Sequence, residues 1–140
     1  MTAQDQALIA LLAANAREST ASLARKLGLS RTTVQERIHR LERGGVIRGY
    51  TVRLAERSSA QVSAQVLLNV NPKRTTEVVR NLAAMPHCAA LHAVSGVFDY
   101  VVTVGAASTE ELDRCLDRIG DLAGIERTQT LVVLSTKFER

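Results

Sequence analysis

The sequence predicts an α+β protein in two parts: three helices of helix-turn-helix type, then an antiparallel sheet with two helices on one face. Three observations predict it. Apolar residues recur at helical spacing up to Leu41, the period changes to two at Val62, and the excess basic charge is confined to the first part. Residues 1–60 carry ten Lys and Arg against five Asp and Glu, whereas residues 61–140 carry eight against nine. A basic piece joined to a near-neutral one points to a polyanionic partner for one end only.

Thr2 and Asp5 read as a capping box with Asp in place of Glu, and Leu8, Ile9, Leu11 and Leu12 continue as the apolar stripe of a first helix ending near Ala14. A second helix starts after Thr20, includes Leu23, Ala24 and Leu27, and stops at Gly28, which adopts a positive φ at little cost. Ser30 is the natural N-cap of a third helix, on which Val34, Ile38 and Leu41 share a buried stripe before Gly44-Gly45. Small Ala24, the turn at Gly28 and apolar Val34 form the compact spacing of a helix-turn-helix.

Advancing about 100° per residue from Val34 places Thr32, Glu36, His39 and Arg43 opposite the buried stripe, with Thr33, Gln35 and Arg40 beside them and Arg31 in the first turn. Such side chains hydrogen-bond base edges and phosphates in a major groove. Glu36 either accepts from a cytosine amino group or pairs with Arg40 at i,i+4. After Gly45, Val46, Ile47, Tyr50, Val52 and Leu54 suggest a short connecting strand, and residues 55–60 a small polar linker.

From Val62, apolar residues alternate with polar ones to Val70, a half-buried strand ended by Asn71-Pro72. Val78, Val79, Leu82 and Met85 mark a helix stopped by Pro86. Strands follow over 88–95 and 99–105, joined tightly through Gly96-Val97-Phe98. A helix carrying Leu112, Cys115, Leu116 and Ile119 precedes a last strand over 128–135, rich in β-branched residues. This order is a split βαβ repeat, the ferredoxin-like arrangement. Its helices cover one face of the sheet, and Leu67 on the other suggests that a second copy covers that face, giving a two-fold dimer.

Several segments together resemble the leucine-responsive regulator/AsnC (Lrp/AsnC) family over nearly the whole chain. They include Asp5-x-x-Leu8-Ile9, Asn15-Ala16-Arg17, Leu23-Ala24-x-x-Leu27-Gly28-Leu29-Ser30, Val34-x-x-Arg37-Ile38, Leu41-Glu42-x-x-Gly45-Val46-Ile47 and Gly49-Tyr50. Gly96-x-x-Asp99-Tyr100 resembles the family's turn motif, and Leu131–Lys137 its last strand. The resemblance implies a winged helix-turn-helix DNA-binding domain (1–49), a connecting strand and linker (50–60), and a ferredoxin-like effector and oligomerisation domain (61–140). It further implies homodimers that assemble into larger homo-oligomers, and a small effector, commonly an amino acid, bound between subunits. Gly96, Val97, Phe98, Asp99 and Tyr100 would line that site, turn amides holding a carboxylate and Asp99 an ammonium, with Thr128 and Thr130 from a neighbouring strand. The competing reading of Asp99 is a turn-capping carboxylate without a ligand. The expected function is a sequence-specific transcriptional regulator of double-stranded DNA that responds to this effector. The alternative is an effector-independent architectural DNA-binding protein.

Other classes fit less well. The composition, 46% hydrophobic and 23% charged, is that of a soluble globular chain, and no apolar stretch suits an export signal or membrane anchor, so a cytoplasmic, nucleoid-associated protein is expected. Two cysteines, Cys88 and Cys115, build no disulfide framework. His87, Cys88 and His92 do not suit a metal, since Cys88 and His92 lie about 13 Å apart along a strand and His87 faces away from His92. No cofactor is expected, nor an enzyme: nothing in the sequence assembles a nucleophile with a base, a paired-carboxylate cleft or a phosphate loop.

Overall fold

Each N-terminal helix begins one residue after a hydroxyl side chain. Thr2 caps α1 (Ala3–Ala14), Ser19 caps α2 (Thr20–Leu27) and Ser30 caps α3 (Arg31–Arg43), each accepting from the amide three residues on. The computed structural model describes residues 1–55 and 61–140, which divide into compact units at Arg53/Leu54. All but the first residue of the expected linker lies outside the described residues.

In the first unit Gly28 ends α2 at φ +66°, a left-handed conformation that costs glycine little, and the Leu29 amide returns to the Ala24 carbonyl at 2.9 Å. That turn aims α3 across α2, where Ala24 leaves room. Leu8, Leu12, Leu23, Ala24, Val34 and Leu41 close into one buried cluster. The expected strand over Val46–Leu54 does not form. The Val46 and Ile47 amides both turn back to the Leu41 carbonyl at 3.0 Å. Tyr50, Val52 and Leu54 are exposed, with no strand beside them among the described residues to complete a ladder.

The second unit runs β1 (Val62–Val70), α4 (Thr75–Ala83), β2 (Cys88–Ala93), β3 (Tyr100–Ala106), α5 (Thr109–Gly120) and β4 (Ile125–Val132). The strands are ordered β2-β3-β1-β4 with every neighbouring pair antiparallel, which is the ferredoxin-like topology. Along β1, Ala64, Val66, Leu68 and Val70 are buried with Val78, Leu82, Leu112, Cys115 and Ile119 of the helices. Ser63, Gln65, Leu67 and Asn69 alternate onto the opposite face.

The last strand begins three residues earlier than the expected Thr128–Ser135. Gly124 explains the shift: its carbonyl accepts from the Asn71 amide at 2.8 Å, and at φ +100° it turns the chain so that Ile125 pairs at once with Val70. A Cβ at position 124 would lie 2.7 Å from Cβ of Arg74 and 2.9 Å from Cγ2 of Val78. Gly124→Ala should therefore destabilise the C-terminal unit by about 1–3 kcal/mol, read as a lower urea midpoint; an unchanged midpoint would show that α4 retreats freely.

Candidate nucleic-acid interface and effector turn

On α3 the capping hydroxyl of Ser30 holds the first turn, and buried Val34 and Leu41 fix which side of the helix faces outward. Arg31, Thr32, Gln35, Glu36, His39, Arg40 and Arg43 are exposed on that helix. Thr33 is half-buried, and its hydroxyl lies 2.8 Å from that of Ser30, which engages it in the cap. His39 Nδ1 stands 3.8 Å from a Glu42 oxygen, while the other Glu42 oxygen accepts from the Tyr50 hydroxyl at 2.8 Å.

The arginines of α3 are not equivalent. Asp5 is buried at 3% exposure, and its Oδ1 accepts from Nη1 of Arg37 at 2.9 Å and from Nη2 of Arg40 at 2.7 Å. Its Oδ2 accepts from the Thr2 amide at 2.9 Å, closing the capping box. Arg37 also reaches Gln4 Oε1 at 2.7 Å and the Thr2 hydroxyl at 3.3 Å. Of the two readings of Glu36, its pair with Arg40 does not form: Arg40 turns to Asp5, a buried full charge, rather than to an exposed carboxylate one turn away. Thr33, Glu36, Arg37, Arg40 and Arg43 together line a shallow hollow. Sequence reasoning found Asp5 as a cap and Arg37 as a motif residue but missed their ion pair. Its signal in the sequence is an acidic capping residue in an otherwise basic unit.

In the second unit, the turn between β2 and β3 is tied to β1. The Asp99 amide donates to the Leu68 carbonyl at 2.9 Å, and its Oδ2 accepts from the Val70 amide at 3.0 Å. Asn69 Nδ2 donates to the Val97 carbonyl at 2.8 Å and lies 3.4 Å from Asp99 Oδ2. Across β1, Arg127 pairs in register with Asn69, and its guanidinium lies over the Phe98 ring, 5.1 Å from the centroid. Gly96, Val97 and Asp99 are exposed and Phe98 is half-buried. The turn thus gathers Gly96, Val97, Phe98 and Asp99 with two residues that sequence reasoning missed, Asn69 and Arg127.

Tyr100, Thr128 and Thr130 are placed elsewhere. Tyr100 and Thr128 both stand opposite Leu68, and Thr130 opposite Val66, so all three share the helix-covered face, where Tyr100 packs against the core. Asn69 and Arg127 occupy the other face. The pattern of alternation alone, once the register is known, separates the two sets.

The remaining candidate groups are structural. His87 Nε2 lies 2.6 Å from Glu111 Oε1, and the other Glu111 oxygen accepts from the Ala107 amide at 2.8 Å; the His87 bond, first of all, lowers the Glu111 carboxyl below its usual range. Burial, with the Cys115 thiol beside it, pushes Cys88 up to about 11, and burial also raises Cys115. Neither thiol is a thiolate nucleophile at neutral pH. No helix among the described residues is long and apolar enough to cross a membrane.

An exposed polar helix on a small basic unit, followed by a four-stranded sheet with a tethered turn, defines a DNA-binding regulator with an appended ligand domain. Residues 1–42 match the AsnC-type helix-turn-helix domain and residues 63–140 the Lrp/AsnC ligand binding domain. The chain belongs to the Lrp/AsnC family of transcriptional regulators. It is 32% identical over 136 residues to the HTH-type transcriptional regulator FL11 of Pyrococcus horikoshii, covering 96% of this chain and 90% of that protein. It is similar to the crystal structure of the Mycobacterium tuberculosis leucine response regulatory protein (LrpA), at TM-score 0.85 and 30% identity over 99% of this chain and 96% of that one. It shares its fold, at TM-score 0.88 and 19% identity over 99% and 93% of the two chains, with a Neisseria meningitidis transcriptional regulator crystallised as an L-Met complex. The family and these relatives are transcriptional regulators, not enzymes.

The clamp predicts a pH response. The Thr2 amide, then the Thr2 side chain, Arg37 and Arg40 hold the Asp5 carboxyl well below the usual carboxylate range despite its burial. A carboxylate held low stabilises the folded unit at every pH above its unfolded value of about 3.9, and that contribution is lost as pH falls through the folded value. Thermal melts followed by circular dichroism should therefore show the N-terminal helices losing stability below about pH 4. Asp5→Asn should lower the neutral-pH melting point and flatten this acid limb; an acid limb of wild-type steepness in the variant would assign the titration to another group.

Proposed function

We propose that this chain reads duplex DNA in a sequence-dependent way through the exposed face of α3, and that a small amino acid bound at the Gly96–Asp99 turn alters its assembly or its DNA affinity. The observation that carries the first half is the row of exposed side chains on the Ser30-capped helix. In this reading Arg31 and Arg43 meet phosphates, while Thr32, Gln35, Glu36 and His39 face base edges. Thr33 supports the first turn from within the cap, and Arg40 joins the face subject to its bond with Asp5. Binding should fall steeply with salt, since each neutralised phosphate releases counterions.

The second half rests on the turn. Arg127 offers a cation, and Asp99 keeps a carboxylate at the same place, a pairing that suits the two charged ends of an amino acid. An amino acid, L-Met, is the ligand of the Neisseria meningitidis regulator of like fold. Thr128 and Thr130 lie across the sheet, so a ligand touching them as well would have to pass around the β4 edge. The uncovered face, with Leu67, Val101 and Leu131 among Gln65, Thr103 and Gln129, favours a second copy of the chain as its cover. Larger homo-oligomers and association with the nucleoid follow as extensions of this reading.

Fluorescence anisotropy with labelled duplexes tests the DNA half. Arg31→Ala should lower the slope of log K against log salt by about one, and Gln35→Ala should erase about 1–3 kcal/mol of discrimination between duplexes. A protein that binds every duplex alike would instead be the architectural DNA-binding alternative.

Thermal-shift titration with the amino acids, with light scattering on the same samples, tests the other half. A ligand present at 100 times its Kd should stabilise the protein by about 2.7 kcal/mol, and Arg127→Ala should abolish that shift. If the shift survives in Arg127→Ala, the carboxylate is held elsewhere.

A further inference from the structure

Resting on the DNA-binding reading above, we propose that Asp5 regulates how many phosphates the helix-turn-helix neutralises, by holding the Arg40 guanidinium away from the DNA backbone. Asp5 touches no DNA in this scheme. It is a positioning residue that acts through Arg40.

The two arginines on Asp5 differ in what they could do next. Arg37 is 19% exposed and has three acceptors, on Thr2, Gln4 and Asp5, so its charge belongs to the interior of the unit. Arg40 is 57% exposed, and its one side-chain hydrogen bond among the described residues is to Asp5 Oδ1. It stands on the outward face of α3, three residues before Arg43 and in the same hollow. A phosphate oxygen offers a guanidinium the same charge-assisted bond as a carboxylate oxygen. Arg40 is therefore in competition between an internal anion and the external one.

The clamp is built to survive that competition. With Arg40 withdrawn, Asp5 keeps Arg37 on Oδ1 and the Thr2 amide on Oδ2. The carboxylate stays in place, ready to recapture Arg40. The consequence is a lower charge presented to DNA of any sequence, and hence a larger share of the affinity left to base contacts.

The test is a salt titration of anisotropy between about 50 and 200 mM KCl on a labelled random-sequence duplex, using the full chain. Asp5→Asn should steepen the slope of log K against log salt by about 0.9, one added phosphate, and bind this duplex several-fold more tightly near 0.1 M salt. Adding Arg40→Ala to Asp5→Asn should remove the extra slope. A purely structural role for Asp5 predicts the opposite, weaker binding with no steepening, and that result overturns the proposal. If Asp5→Asn does not fold, the single variants decide: Arg40→Ala should remove less than half of the slope removed by Arg31→Ala, and an equal loss overturns it. A wild-type protein without salt-sensitive duplex affinity overturns the DNA-binding reading and this inference with it, whereas normal wild-type binding without the expected changes overturns this inference alone.

Discussion

The position of α3 depends on a buried carboxylate. A unit of some fifty residues buries a small fraction of its surface and is marginal on apolar contacts; the core of this one is Leu8, Leu12, Leu23, Ala24, Val34 and Leu41, with Ile9, Leu11, Leu27, Leu29, Ile38 and Ile47 packed against it. Asp5 adds a polar tie between the start of α1 and the middle of α3. Its burial would be costly if it stood alone. With the Thr2 amide and two guanidinium groups on its oxygens, the same charge ties the start of α1 to the middle of α3. The helix proposed to read DNA is thus held by an interaction on its own flank, and its outward side chains inherit that orientation.

The second unit is governed by a different constraint. A split βαβ order puts both helices on one side of the sheet, so half of the strand residues face away from the core. The turn that carries Asp99 is hydrogen-bonded to β1 at Leu68, Asn69 and Val70. A molecule that bonds to the Val97 carbonyl or to Asp99 Oδ2 must therefore share these atoms or displace them. Since β1 is a central strand and presents Leu67 and Gln65 on the uncovered face, a preference of the ligand for one arrangement of the turn is also a preference for one arrangement of that face. In the function proposed above, this single strand is the route from ligand to assembly.

The elements were legible in the sequence wherever a local rule sufficed. The capping box at Thr2, the stop at Gly28, the cap at Ser30 and the alternation from Val62 to Val70 depend on neighbours a few residues apart, and the structure places each where the sequence does. What was not legible depended on partners distant in the chain. The start of β4 is set by Gly124 lying against Arg74 and Val78, some fifty residues earlier. The segment from Val46 to Leu54 has a strand's alternation but no neighbour to complete a ladder. Arg40 looked like a partner for Glu36 because that pairing is local, and the bond to Asp5 spans 35 residues. For the effector turn, the motif Gly96–Asp99 was readable, but Asn69 and Arg127 join it only through the sheet register, which also sends Thr128 and Thr130 to the opposite face.

Phe98 shows how one side chain shapes the chemistry of that turn. A ring without a hydroxyl has no hydrogen bond to offer Arg127, yet it holds the guanidinium through its π face, 5.1 Å away. A contact with the ring face uses the cation's charge and takes up none of its N–H donors. Among the ion pairs of the described residues, none engages Arg127. The ring therefore positions a cation while consuming none of its hydrogen-bonding capacity, and the Asp99 carboxylate of the same turn is anchored through Oδ2 to the Val70 amide of β1. Two opposite charges thus belong to one turn without an ion pair between them, which is the arrangement on which the zwitterion of the proposed function rests.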